Sequence, residues 1–214
     1  MKSILLIGLG RFGRHMAAKL YEMKNEVLAV DIDEDRVNEA LPFVTRAQIG
    51  DSTNEQFVAT LGVRNFDVCM VAIGDDFQSS LETTALLKDL GARFVVARAN
   101  RDVHAKFLLR NGADQVVYAE KEMAIRSAVK YGSNNVFDYV ELTPEYSIYE
   151  IPVPAAWVGK TIVQTAVRTK YHISILATKR NGQIDSLPKA DHLFDAGETL
   201  IILGDNKDIR RFLQ

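Results

Sequence analysis

The stretch IGLGRFGRHM, residues 7–16, decides how the chain is read. Gly8, Gly10 and Gly13 are spaced to turn a strand tightly into a helix and to bring bare main-chain N–H groups against a phosphate. The stretch follows an apolar run, SILLIG, and opens a helical pattern in which Phe12, Met16, Leu20 and Met23 share one face. Asp31 closes the next apolar run, 23 positions after Gly8, near the spacing at which a carboxylate meets ribose hydroxyls. That context points to a nucleotide. It leaves the job open, because the motif serves hydride-transferring enzymes and nucleotide sensors alike.

Working outward, strand-length apolar runs alternate with helical patterns up to about residue 118: SILLIG, EVLAVDID, VTRAQIG, DVCMVAIG, RFVVARAN and DQVVYA. This alternation predicts an α/β fold, a Rossmann-like doubly wound parallel sheet. From Glu120 to Tyr131 one further helix carries Met123, Ala124, Ser127, Ala128 and Tyr131 on a single face. It follows the last strand and makes no crossover, so it is free to pack on a second subunit. After GSNNV the alternation stops, and Pro144, Pro152, Pro154 and Pro188 all lie beyond residue 140. A small C-terminal α+β domain is expected there, with a hairpin about Asn181-Gly182, a strand in AGETLIILG and a closing helix around NKDIRRFL. The expected division is residues 1–133 and 134–214.

Composition narrows the class. With 214 residues, 47% of them hydrophobic, the chain can bury a sizeable core. A net charge of -2 gives no basic excess for nucleic acid. The longest apolar runs are strand-length, well short of the roughly 20 residues of a membrane helix, and the N-terminus lacks the pattern of a signal peptide. A cytoplasmic location is expected. The single Cys69 lies in an apolar run and reads as a buried strand residue, and the four scattered histidines form no soft-metal cluster.

Candidate binding residues follow from the strand ends, since ligands of open α/β sheets sit outside the carboxyl ends of the strands. Those ends carry Asp51 and Ser52, then Ile73, Gly74 and Asp75, then Arg98 and Asn100. Arg11 stands inside the glycine loop, where a guanidinium can hold phosphate oxygens bidentately and favour the terminal charge of ATP or ADP, or else lie in solvent. Asp33 either shares the ribose with Asp31 or caps the next helix. A dehydrogenase needs a general acid or base and an anion clamp in a substrate domain, and His172 and His192 fall in a module too small to enclose a substrate. A non-enzymatic role is expected.

The motifs GLGRFG, VDIDEDRVN, GDSTNE, VAIGDD, GADQVVYAEKEMA and LFDAGETLIILG, in register almost end to end, resemble the KtrA/TrkA-type proteins, an RCK domain followed by a TrkA-C module. With one copy of each module the chain is more similar to KtrA than to the duplicated TrkA. The resemblance implies a cytosolic gating subunit of a bacterial potassium uptake system, peripheral to the inner face of the membrane through a KtrB/TrkH-like potassium translocator. It also implies homodimers joined by the helix after the sheet and assembled into an eight-membered ring, which ATP or ADP in the cleft reshapes. By the same resemblance Arg11 meets the terminal phosphates and Asp31 the ribose, with Gly8, Gly10, Phe12, Gly13, Ile32 and Asp33 also among the nucleotide-binding residues. Asp51, Ser52, Ile73, Gly74 and Asp75 serve the adenosine end, and Arg98, Ala99, Asn100 and His104 line the cleft. Glu120 sits near the phosphates, with Mg or another cation as a candidate companion. Acidic Asp75 and Asp76 after VAIG leave ATP, ADP and NAD(H) all open. In the C-terminal module the family's cyclic di-AMP site maps to Ile162 and Val163 as apolar walls, Arg168 for a phosphate, His172 as a polar contact and Pro188 closing the pocket. The same residues would equally build the module's core and dimer contact. The competing readings are an NAD-dependent oxidoreductase and a nucleotide sensor acting on another partner.

Overall fold

The computed structural model describes residues 1–214 and divides into two compact units, Met1–Lys121 and Glu122–Gln214. In the first, six parallel strands run in the order β3-β2-β1-β4-β5-β6, with ranges Ser3–Ile7 (β1), Glu26–Asp31 (β2), Arg46–Ile49 (β3), Val68–Val71 (β4), Val95–Arg98 (β5) and Gln115–Val117 (β6). The order reverses between β1 and β4, which is the switch point where a doubly wound sheet opens a crevice.

Alternate side chains of the central strands explain why both faces are covered. Leu5, Ile7, Cys69, Val71 and Val95 pack on one face against Val58, Leu87 and Leu108 of helices α3 (Glu55–Thr60), α4 (Phe77–Asp89) and α5 (Asp102–Arg110). Leu6, Val27 and Ala29 pack on the other against Ala17 and Val37 of helices α1 (Arg11–Glu22) and α2 (Glu34–Ala40). Cys69 is fully buried, and burial pushes its thiol up to about 12. Helix α6 (Ala119–Gly132) has no buried residue; Met123 and Tyr131 on its apolar face are exposed, and Val129 packs on the core of the second unit.

The second unit is an antiparallel sheet in the order β10-β9-β11-β8-β7. Its strands are Asp138–Glu141 (β7), Tyr146–Pro152 (β8), Ser174–Arg180 (β9), Gln183–Asp185 (β10) and Thr199–Asp205 (β11). Asn181 and Gly182 both take positive φ, 51° and 80°, as a two-residue hairpin turn between β9 and β10 requires. The first two strands of this sheet, and the short helices α7 (Ile162–Thr165) and α8 (Val167–Tyr171), lie outside the elements expected from sequence. The closing helix α9 (Asn206–Leu213) seats Ile209 in the core, where Trp157 stacks on Phe194 at 5.7 Å and meets Phe212 at 5.2 Å.

Arg126 of α6 pairs with Asp138 of β7 at 2.8 and 3.0 Å. The Arg126 hydrogen bonds, aided by the Tyr139 N–H and opposed by burial, hold the Asp138 carboxyl down at about 2, against 3.8 ordinarily. A carboxyl lowered in the folded state stabilises fully above its unfolded value and loses that contribution as pH falls from 3.8 to about 2. Asp138→Asn should therefore flatten the acid-unfolding profile of the chain over that interval, followed by circular dichroism. Equal slopes for parent and variant would show that the pair contributes nothing.

Candidate functional site

A cleft of about 690 Å³ opens at the carboxyl ends of the strands on either side of the switch point, within the usual range of small-molecule sites. Its floor is the glycine loop. Gly8 holds φ at +95°, and a Cβ there would stand 3.1 Å from the Ala72–Ile73 main chain. A Cβ on Gly13 would fall 1.9 Å from the Gly8 carbonyl oxygen, so helix and loop touch backbone to backbone. Gly10 has open space where a side chain would project, leaving the loop bare toward the cleft.

Helix α1 begins there without a cap. Asp33, Asn54 and Asp76 cap α2, α3 and α4 with their side chains, whereas Gly10 caps nothing and the first turn of α1 holds no acid. The first main-chain bond of α1 runs from the Arg14 N–H to the Gly10 carbonyl at 3.0 Å, so the N–H groups of Arg11, Phe12 and Gly13 face the cleft end without partners. An anion is the natural complement of such a helix end.

Asp31, nearly buried, accepts the Leu9 N–H at 2.6 Å and the Asp33 N–H at 3.0 Å, and it lines the cleft beside exposed Ile32. Arg98 lies across the cleft. Its guanidinium stands 5.2 Å from the Phe12 ring centroid and fills the space where a Gly74 side chain would be. It pairs with Glu120, and its Nε is buried without a partner. Burial pushes the Glu120 carboxyl up, but its own main-chain N–H, the Arg98 pairing and the attraction of Arg11 outweigh that and hold it below the ordinary value. Arg11, Arg98 and the N-terminus of α1 thus concentrate positive potential at one end, with a single carboxylate, Glu120, among them.

Of the residues singled out by sequence, Gly8, Gly10, Arg11, Phe12, Asp31, Ile32, Asp51, Ser52, Ile73, Gly74, Asp75, Arg98 and Glu120 line this one cleft. Gly13 underlies it. Asp33 does not line it but caps α2, accepting the N–H groups of Asp35 and Arg36 at 3.0 and 3.2 Å. Ala99 is fully buried, and His104 is buried with its ring 5.0 Å from that of Phe77 and its nitrogens bonded to Asn100 and Ser80. Burial, and then the nearby Arg101, lower the His104 pKa. Asn100 bonds the Gly74 carbonyl and does not face the cleft. Sequence reading missed His15, Arg36, Gly50, Thr53, Asp76 and Ser79, all of which line it. His15 was within reach of the helical rule, being one turn beyond Arg11 on α1. No group of three His, Cys, Asp or Glu side chains converges to hold a metal, at Glu120 or elsewhere.

The C-terminal unit has its own cavity of about 570 Å³, lined by Ile162, Val163, Arg168 and Pro188 together with Leu176, Leu187 and Ala190. His172 does not line it. It ends α8 in the left-handed conformation, φ 56°, with Nδ1 3.8 Å from an Asp208 carboxylate oxygen.

Fold and cleft define a two-unit protein of the Rossmann type. A TrkA-N domain model matches residues 4–119 and a TrkA-C domain model residues 146–214. The chain is 43% identical to the Ktr system potassium uptake protein C of Bacillus subtilis (strain 168), over 99% of this chain and 96% of that one. It is 39% identical to the Ktr system potassium uptake protein A of the same organism, over 99% and 95%. The crystal structure of the GsuK RCK domain superposes with a TM-score of 0.69 at 18% identity, covering 99% of this chain and 46% of that one; the chain thus spans about half the length of that solved chain and shares its fold. The chain belongs to the TrkA-N/TrkA-C family that includes the Ktr potassium uptake proteins. No helix is long and apolar enough to cross a membrane.

The Gly13 contact yields a direct test. Gly13→Ala must push the Gly8 carbonyl aside, and overpacking of this kind costs about 1–3 kcal/mol. Urea denaturation is expected to give a destabilisation of that order, while Gly10→Ala, with open space around it, should leave stability nearly unchanged. Equal effects at the two positions would contradict the backbone contact.

Proposed function

We propose that the chain is the nucleotide-binding regulatory subunit of a bacterial potassium uptake system. The observation that carries this is the full-length relation to two Ktr potassium uptake proteins, joined to a cleft whose first helix is left uncapped beside two arginines. In this reading residues 1–133 bind the nucleotide and supply the dimerising helix, residues 134–214 form the regulatory module, and the chain acts from the cytoplasmic side on a membrane potassium translocator.

ATP and ADP are the ligands favoured over NAD(H). The free N–H groups of α1, Arg11 and Arg98 gather at one end of the cleft, which suits charge concentrated on terminal phosphates more than a bridging pyrophosphate. Asp31, anchored by two main-chain N–H groups, keeps lone pairs for ribose hydroxyls, and Ile32 and Ile73 offer apolar surface for a base. A cation would take Glu120 and phosphate oxygens as ligands, since the protein supplies no cage of its own. A site of this kind gates by binding one arrangement of an assembly better than another, and it needs no catalytic group. The exposed apolar face of α6 supports a homodimer, and dimers are taken to build an eight-membered ring. The second cavity, with Arg168 between apolar walls, supports cyclic di-AMP as a ligand of paired C-terminal units, without His172.

Two measurements test this reading. Arg11→Ala removes a charge-assisted contact and should weaken ATP binding by about 1.5–3 kcal/mol in calorimetry. ATP affinity equal to that of the parent would remove the phosphate role of Arg11. Ala128→Lys places a charge on the apolar face of α6 and should lower the native mass measured by light scattering. An unchanged assembly would exclude that face as the dimer contact.

A further inference from the structure

Asn100 is expected in the cleft from the sequence, but it does not line it; exposed just beyond the end of β5, it joins four parts of the first unit. Its Nδ2 donates to the Gly74 carbonyl at 2.6 Å, and its Oδ1 stands 3.2 Å from His104 Nδ1. Its main-chain carbonyl accepts the Tyr118 hydroxyl at 2.8 Å, immediately before α6. His104 Nε2 in turn lies 3.2 Å from the Ser80 hydroxyl on α4. The roles are determined by elimination. Because Nδ2 serves the Gly74 carbonyl, Oδ1 must accept, so His104 carries its proton on Nδ1 and accepts the Ser80 hydroxyl at Nε2. Burial favours this neutral imidazole, in which each ring nitrogen has one partner of the right kind.

The consequence falls on one peptide group. A trans peptide points its N–H opposite to its carbonyl, so the bond to Asn100 turns the Asp75 N–H away from Asn100, toward the cleft that Gly74 and Asp75 line. That N–H has no partner within the protein. We propose that Asn100 is a positioning residue for the nucleotide: through the Gly74 carbonyl it aims the Asp75 N–H at the ligand, and His104 and Ser80 hold the Asn100 amide in the one orientation that does so. The proposal rests on the nucleotide-binding reading above and adds a donor that this reading does not contain. It also explains a buried histidine that does not line the cleft.

Asn100→Asp gives the test. It keeps the side-chain shape and the acceptor for His104 but sets an oxygen lone pair against the Gly74 carbonyl. The introduced carboxyl, once protonated, would again donate to that carbonyl, so the defect should reverse with acid. ATP and ADP affinities of the full chain are measured by calorimetry from pH 8 to about pH 4, where an ordinary aspartate takes up its proton, always as the ratio of variant to parent. The ratio cancels the other groups that titrate or carry charge nearby: His104 and Arg101 on and before α5, Asp75 and Asp76 in the facing loop, Arg98 on β5 and Tyr118 before α6. The expected result is binding about tenfold or more weaker at pH 8, with the deficit shrinking toward about pH 4. A residue that only stabilised the fold would lower the melting temperature and give a ratio that does not recover with acid. Equal affinity at pH 8, or a deficit that does not shrink, overturns the proposal. Should Asn100→Asp fail to fold, Asn100→Ala removes the same donor without a charge and is expected to weaken binding several-fold; unchanged affinity overturns the proposal. A parent chain that binds no adenine nucleotide overturns the functional reading and this proposal together, whereas a binding parent with an unaffected variant overturns this proposal alone.

Discussion

The buried Asp31 carboxylate is the contact on which the cleft depends. One oxygen accepts the Leu9 N–H and the other the Asp33 N–H, so a single side chain ties the glycine loop after β1 to the end of β2 and starts the turn into α2. The loop after β1 has no side chain that could do this for itself, because it must stay bare. The Gly8–Gly13 backbone contact then holds α1 against the same loop, and the helix can begin uncapped because its neighbours fix its position. Geometry that in other helices comes from a capping side chain is here supplied from across the sheet.

Much of this was legible in the chain. The three glycines, the preceding apolar run and the distance to Asp31 are local features, and local features specify a βαβ turn almost by themselves. Which neighbouring residues face inward is set by tertiary packing. His104 stands in the first turn of α5, and only the position of α4 makes it an interior residue, with Ser80 and Phe77 across from it, whereas Asn100, four residues earlier, stays exposed. Arg36 and Ser79 reach the cleft because α2 and α4 begin beside it, a fact of sheet order with no trace in their own sequence neighbourhoods.

The C-terminal unit was read less completely, for identifiable reasons. Strand β8 does alternate, with Ser147, Tyr149 and Ile151 buried, but Pro144 and Pro152 bracket it and β7 before it is only four residues long. Helices α7 and α8 are four and five residues long and meet at Ala166, which adopts φ 49°. Alanine rarely takes that conformation, so no residue type marks the break, and the aromatic cluster about Trp157 decides where the chain turns.

Cys69 has a practical consequence of a different kind. It is the chain's one cysteine, it lies at the centre of the sheet with no exposed surface, and its thiol is held up at about 12. Thiolate is the species that alkylating and spin-labelling reagents attack, so the native protein offers them almost nothing to react with while it stays folded. A cysteine introduced on the surface can carry a fluorophore or nitroxide by itself, and reagent uptake by the unaltered chain becomes a chemical clock for opening of the β-sheet core.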